Sequence, residues 1–148
     1  MTDEEWKARS GIEKTLASIA QAGDARKADA YAECFAEAGV LDLTHGGGTT
    51  YEGRETIRAW MNAPSPIPQN PDRPAGFISH HITSCRIEVT GPDSATARTY
   101  FLVTSPVGLD HNGYYDDRFV QVGGDWLVEH RRPRTLWFAP GSLVRRAV

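Results

Sequence analysis

Two adjacent histidines, His80 and His81, and two adjacent aspartates, Asp116 and Asp117, are the side chains in this sequence best suited to move protons. An unperturbed histidine titrates at about 6.5, so it exchanges a proton readily near neutral pH, and a neighbouring carboxylate orients the ring and holds the imidazolium. Asp116 is the expected partner. Both histidines open a run of strand character, in which successive side chains point to opposite faces, so only one of them can enter an interior. Cys85, Ile87 and Val89 set a phase that puts His81 inside, whereas Ile78, His80 and Ile82 set one that puts His80 inside. A bulge near Thr83 reconciles the two. The same residues also read as a solvated histidine pair facing aspartates on an edge strand. Other chemistries lack their spacing: there is no HxxxH pair for a metal and no strained elbow around a Ser or Cys nucleophile. Cys34 and Cys85 have no CxxC partner and are expected to be buried free thiols. No metal and no cofactor are expected.

The elements around these groups follow from patterning. Gly113 to Arg132 reads as two neighbouring strands closed by a tight turn at Gly123-Gly124-Asp125. Tyr114, Asp116, Arg118, Val120 and Val122 share one face of the first arm, which is an edge-strand device or the wall of a polar pocket. Upstream, Thr2 and Glu5 have capping-box spacing, and Ile12, Leu16 and Ile19 recur at helical spacing, predicting a helix over 3–22 that ends at Gly23-Asp24. Asp24 is then placed to N-cap a second helix carrying Ala28, Tyr31, Ala32 and Phe35 as far as Gly39. A short strand at 40–43, a return strand at 49–51 and a third helix from Arg54 to Asn62 follow, with Ile57, Trp60 and Met61 facing inward. Segment 63–76 holds five of the nine prolines, which excludes helix and central strand and predicts a long loop, either a binding loop or a plain connection. Further strands are expected from Phe77 to Thr90 and from Ser94 to Val107.

Helices first and long strands after is an α+β pattern. The economical arrangement is one domain over 1–148, with a strongly curved antiparallel sheet wrapped around three N-terminal helices and a concave cavity between them. Phe35, Trp60, Tyr100, Phe101 and Trp126 are candidate walls, although each taken alone reads more readily as packed core. A net charge of −3 with no basic stripe argues against nucleic acid, and the absence of a long apolar run or leader pattern argues against a membrane partner and for a cytoplasmic protein. The arginines at 131, 132, 134, 145 and 146 read as solvated charges at a strand end and tail.

Taken together, EAGVLD at 37–42, SHHITSCRIEV at 79–89, GYYDDRF at 113–119 and DWLVEHRR at 125–132, behind a helical hairpin, resemble the SnoaL-like branch of the NTF2-like superfamily. The resemblance implies a cone-shaped α+β fold, often a homodimer through the outer sheet face, in a group that includes scytalone dehydratase, polyketide cyclases and ketosteroid isomerase. In its dehydratase-like members a strand histidine, an acidic or histidine residue on a later strand and an aspartate near the end of the first helix act together. On that pattern His80 matches the strand histidine, with His81 in reserve, and Asp116 the later position. The first-helix position falls on Gln21, three residues before Asp24. A neutral amide there orients substrate but cannot hold an imidazolium. The implied activity is a cofactor-free dehydratase, cyclase or isomerase acting on a hydrophobic carbonyl-bearing molecule such as a polyketide or terpenoid. His80 and Asp116 would be catalytic, and Gln21, Phe35, Trp60, His81, Tyr100, Tyr114 and Trp126 would surround the substrate. The alternative is a non-catalytic small-molecule binder of the same fold, which Gln21 favours.

Overall fold

A computed structural model describes residues 1–65 and 77–146. From residue 66 onward, the proline-rich loop expected at 63–76 lies outside the described residues. The first helix, α1 (Asp3–Asp24), starts where the sequence says: Thr2 Oγ1 accepts from the Glu5 amide at 3.2 Å and the Glu5 carboxylate accepts from the Thr2 amide at 2.8 Å. Its Ile12, Leu16 and Ile19 are buried. The helix runs two residues past the expected end, so Asp24 closes it rather than capping the next one.

The second helix is shorter than its apolar spacing suggests. Helix α2 covers only Ala28–Glu33, its N-cap is Lys27, and no side chain caps it. Phe35 instead opens strand β1 (Phe35–Asp42). The reason is tertiary: the Cys34 carbonyl accepts from the Val128 amide at 2.9 Å, and Phe35 pairs in register with Val128, where its ring is fully buried. Sheet pairing and the burial of one aromatic ring, worth about 1.5–3 kcal/mol, override the helical pattern. After β1 come β2 (Thr50–Glu52), α3 (Arg54–Asn62), β3 (Ser79–Gly91), β4 (Ser94–Ser105), β5 (Gly108–Val122), β6 (Asp125–Phe138) and a last turn of helix, α4 (Leu143–Arg146).

The six strands form one curved, open sheet in the order β2-β1-β6-β5-β4-β3. The β1–β6 pair is parallel and the other pairs are antiparallel. Gly123 and Gly124 join β5 to β6 with φ of 58° and 87°, the left-handed pair that a two-residue hairpin turn requires. Helix α1 packs on β3 and β6, and α3 packs on α2 and β1. Between helices and sheet lies the main core: Ile12, Leu16, Ile19, Tyr31, Phe35, Ile57, Ile87, Phe119, Trp126 and Val128 among others, with Trp60 partly buried against it. A second, smaller apolar cluster of Phe101, Val103 and Tyr115, flanked by Ile78 and Ile82, sits further along the same inner face.

Two irregularities decide which side chains reach that second cluster. In β3 the register slips between Ile82, opposite Phe101, and Cys85, opposite Thr99, which places one extra residue at Thr83-Ser84. This is the bulge that the conflicting phases predict, and it puts His80, opposite Val103, on the inner face. In β5, Leu109 pairs with Thr104 and His111 with Val103, so Asp110 is the extra residue and both Asp110 and His111 are buried.

Candidate functional site

The inner cluster surrounds a hydrogen-bonded Asp–His pair. Asp24, at the last position of α1, reaches across to the start of β3: its Oδ1 lies 2.6 Å from His80 Nδ1, and its Oδ2 accepts the His80 backbone N–H at 2.8 Å. An ionised carboxylate only accepts, so the ring nitrogen facing Asp24 is the N–H donor, and in the neutral ring Nε2 is the free acceptor. The His80 side chain is 29 % exposed and that of Asp24 is 21 % exposed, so the pair is sheltered but reachable.

A second pair stands beside the first. The His111 ring lies edge-on to His80 with centroids 6.4 Å apart, and Phe101 lies 6.2 Å from His80 and 6.0 Å from His111. His111 Nδ1 meets Asp110 Oδ1 at 2.8 Å. Burial lowers the His111 pKa against the pull of Asp110, and the nearby His80 lowers it further, so the ring is neutral at neutral pH. Burial alone would push the Asp110 carboxyl up, but hydrogen bonds from Ser142, His111, Leu143 and Ser105 outweigh it and bring it down to about 2.

Tyr115 stacks on Phe101 at 4.7 Å, and the Arg131 guanidinium sits 3.9 Å over its other side. Burial foremost raises the Tyr115 pKa; Arg131 opposes the rise, while Tyr31, Asp117 and Asp24 add to it. Its hydroxyl therefore stays protonated within the field of Asp24. Arg131 is itself buried and forked onto Asp117, with Nε to Oδ1 at 2.9 Å and Nη2 to Oδ2 at 2.8 Å. Burial works against the guanidinium charge, but Asp117 outweighs it and holds Arg131 above its ordinary value.

The expected site residues divide sharply. His80 is at the centre. Gln21 and His81 line an open groove of about 430 Å³ between α1 and β3 that also reaches His80. Asp116 is not the partner of His80. It lies on the opposite, outer face, where Arg98 grips it at 2.7 and 3.0 Å, because Tyr115 and Asp117 take the inward positions of β5. Tyr100 and Tyr114 are on that outer face too, edge to face at 5.6 Å, with Arg98 4.3 Å over Tyr114. Phe35 and Trp126 are main-core residues, and Trp60 packs between Tyr31 and Tyr51, so none of the three borders the histidines. Cys34 is buried as expected, but Cys85 is exposed because it stands just past the bulge on an edge strand.

Asp24, Asp110, His111 and Tyr115 are the residues that sequence reasoning passed over. The signal for Asp24 was the end of α1 itself: the carboxylate expected from the resemblance is present, three residues beyond Gln21. His111 sits on the later strand where the resemblance allows either an acid or a histidine.

A cone-like α+β fold whose open sheet carries an inward strand histidine bonded to the aspartate closing its first helix defines a class of protein. The chain belongs to the SnoaL-like domain family, which matches residues 4–132. No curated protein matches the chain. Among solved structures, one from Mycobacterium tuberculosis, of a protein of unknown function, is 25% identical with a TM-score of 0.73, covering 90% of this chain and 75% of that one. A candidate scytalone dehydratase from Novosphingobium aromaticivorans is 19% identical with a TM-score of 0.77, covering 94% of this chain and 91% of that one. A hexachlorocyclohexane dehydrochlorinase from Novosphingobium barchaimii is 17% identical with a TM-score of 0.75, covering 93% of this chain and 92% of that one. At these identities the last two establish a shared fold.

Proposed function

We propose that the chain is a cofactor-free acid–base enzyme, a dehydratase, cyclase or isomerase, acting on a hydrophobic carbonyl-bearing small molecule such as a polyketide or terpenoid. The observation that carries this reading is the Asp24–His80 pair at 2.6 Å, set against Phe101, Ile78 and Ile82 and beside a second histidine. Asp24 supplies the carboxylate that Gln21 lacks, so the feature that favoured a non-catalytic binder falls away.

His80 Nε2 takes a proton from the carbon next to the substrate carbonyl, and Asp24 holds the resulting imidazolium. The C–H electrons move into the carbonyl to give an enolate, whose oxygen accepts from the Tyr115 hydroxyl. In a dehydration the enolate re-forms the carbonyl, a double bond forms and hydroxide leaves from the next carbon, taking the proton back from His80 as water. In an isomerisation the same proton returns to a different carbon. His111, neutral and with Nε2 bare, accepts from a substrate hydroxyl and orients it. In either case the protein ends in its starting state.

The test is turnover of β-hydroxy ketones and polyketide-like ketones by the wild type and by His80→Ala. The variant should be slower by about 10²- to 10⁴-fold; unchanged turnover of an identified substrate overturns the reading. A homodimer through the outer sheet face is part of the same proposal, supported by exposed Tyr100, Leu102 and Trp137 on that face. Leu102→Glu should then sediment as a monomer.

A further inference from the structure

Asp110 carries an unusual load for one side chain. It is fully buried, and each carboxylate oxygen accepts two hydrogen bonds: Oδ1 from His111 Nδ1 at 2.8 Å and Ser142 Oγ at 2.6 Å, Oδ2 from Ser105 Oγ at 2.8 Å and the Leu143 amide at 2.9 Å. Its backbone carbonyl takes a further bond from the Ala139 amide at 2.7 Å. Three of these five donors come from Ala139, Ser142 and Leu143, in a segment that lies beyond the family match, which ends at residue 132.

The sequence prepares this segment for the task. Ala139-Pro140-Gly141-Ser142 is a reverse turn: the Ser142 amide bonds the Ala139 carbonyl at 3.0 Å, and Gly141 has a φ of 84°. Proline followed by glycine is the pairing that favours such a turn. The turn folds the chain back after β6 and delivers Ser142, which is 1 % exposed, onto Asp110. Ser142 Oγ also accepts the Arg145 amide at 3.2 Å, so one hydroxyl starts α4 and donates to the carboxylate.

We propose that the C-terminal turn is a clasp on Asp110 that positions His111, with Ser142 and the Leu143 amide as its positioning groups. Four donors satisfy the Asp110 carboxylate as an anion, so the hydrogen between it and His111 belongs to the imidazole. The ring is thereby fixed in the Nδ1–H tautomer, with Nε2 free to serve as an acceptor beside His80. Phe138, at the end of β6, packs 5.5 Å from His111 and limits the tilt of the ring. The clasp rests on the reading of His111 as the second histidine of the site, and it adds a dependence on residues outside the family match.

Two full-length variants remove the donors singly. Ser142→Ala deletes the hydroxyl. Leu143→Pro removes the amide hydrogen at the first position of α4, where proline is well tolerated, and exchanges the leucine side chain for a pyrrolidine ring. The readout is the imidazole Nδ1 proton of His111 by NMR, which needs no substrate. In the wild type it should be a slowly exchanging downfield signal coupled to Nδ1. In Ser142→Ala and Leu143→Pro its exchange should quicken by roughly tenfold or more, as expected when a charge-assisted bond is lost, and Ser142→Thr should restore the slow rate. Wild-type His111 protonated on Nε2, or exchange unchanged in both variants, overturns the clasp. Should one variant fail to fold, the wild-type tautomer and the other variant still decide the matter. Slow exchange lost with turnover retained would keep the clasp and refute the catalytic reading of His111.

Discussion

Strand β5 carries nearly the same three-residue arrangement twice, once on each face. Inside, Tyr115 and Asp117 meet Arg131, with the guanidinium forked onto the carboxylate and 3.9 Å over the ring. Outside, Tyr114 and Asp116 meet Arg98 in the same fork, with the guanidinium 4.3 Å over the ring. The chemistry is equivalent but the surroundings differ: the Arg131 and Asp117 side chains are 4 % and 0 % exposed, those of Arg98 and Asp116 50 % and 45 %. Water screens the outer pair, so its contribution is small. The inner pair has no water to fall back on, and its worth lies in the penalty for breaking it. Position relative to solvent therefore assigns function between two motifs that are nearly indistinguishable in sequence.

The comparison breaks most visibly at Arg131. Arg131→Met should leave Asp117 as an unpaired buried charge and cost about 3–5 kcal/mol, seen as a large drop in melting temperature. Adding Asp117→Leu should recover much of that loss, and a double variant no better than the single one would count against the buried-charge explanation. Next in size, Tyr115→Phe should reduce turnover by about 10²-fold, the usual loss for an oxyanion donor, while Tyr114→Phe should leave it unchanged; equal effects would erase the distinction between the faces.

Acid should sharpen the comparison further. His111 and Asp110 both have folded pKa values below their ordinary ones. Each therefore contributes stability that is complete above its unfolded pKa and is lost as pH falls through the folded value. Chemical denaturation should show a decline beginning below about 6.5 for His111. A further loss of roughly 2 kcal/mol for Asp110 should follow, between its ordinary value of 3.8 and about 2. Asp110→Asn should remove that second decline. Smallest of all, Asp116→Asn should change stability by less than about 1 kcal/mol, less still in high salt, and leave turnover untouched.

Much of the fold was legible because its signals are local. The capping box at Thr2, the apolar spacing of α1, the Gly123-Gly124 turn and the α+β order each needed only a few neighbouring residues. The extra residue near Thr83 was legible as well, since two clashing apolar phases in one strand imply it, but the choice between His80 and His81 stayed open until β4 set the register. What escaped depended on contacts distant in sequence. Helix α2 stops because β6 captures Phe35, which no spacing rule reveals. The choice between Asp116 and Asp117 was ambiguous because each has a tyrosine two positions before it; the strict alternation of Ala95, Ala97, Thr99, Phe101 and Val103 in β4 was the better guide and would have placed Tyr100 outside with Arg98. Asp110 and Ser142, 32 residues apart, meet only once β6 and the turn after it are in place.

Strand β3 is one of the two edges of the sheet, and its His80 amide hydrogen points away from β4 into the Asp24 carboxylate at 2.8 Å. An unpaired amide on a sheet edge is a place where a strand from another molecule can dock and begin aggregation. Asp24 closes that place with a negative charge at the same residue whose ring it orients. A chain that loses this aspartate would present an open backbone donor at that margin, so the carboxylate that orients the ring also guards the sheet edge against association.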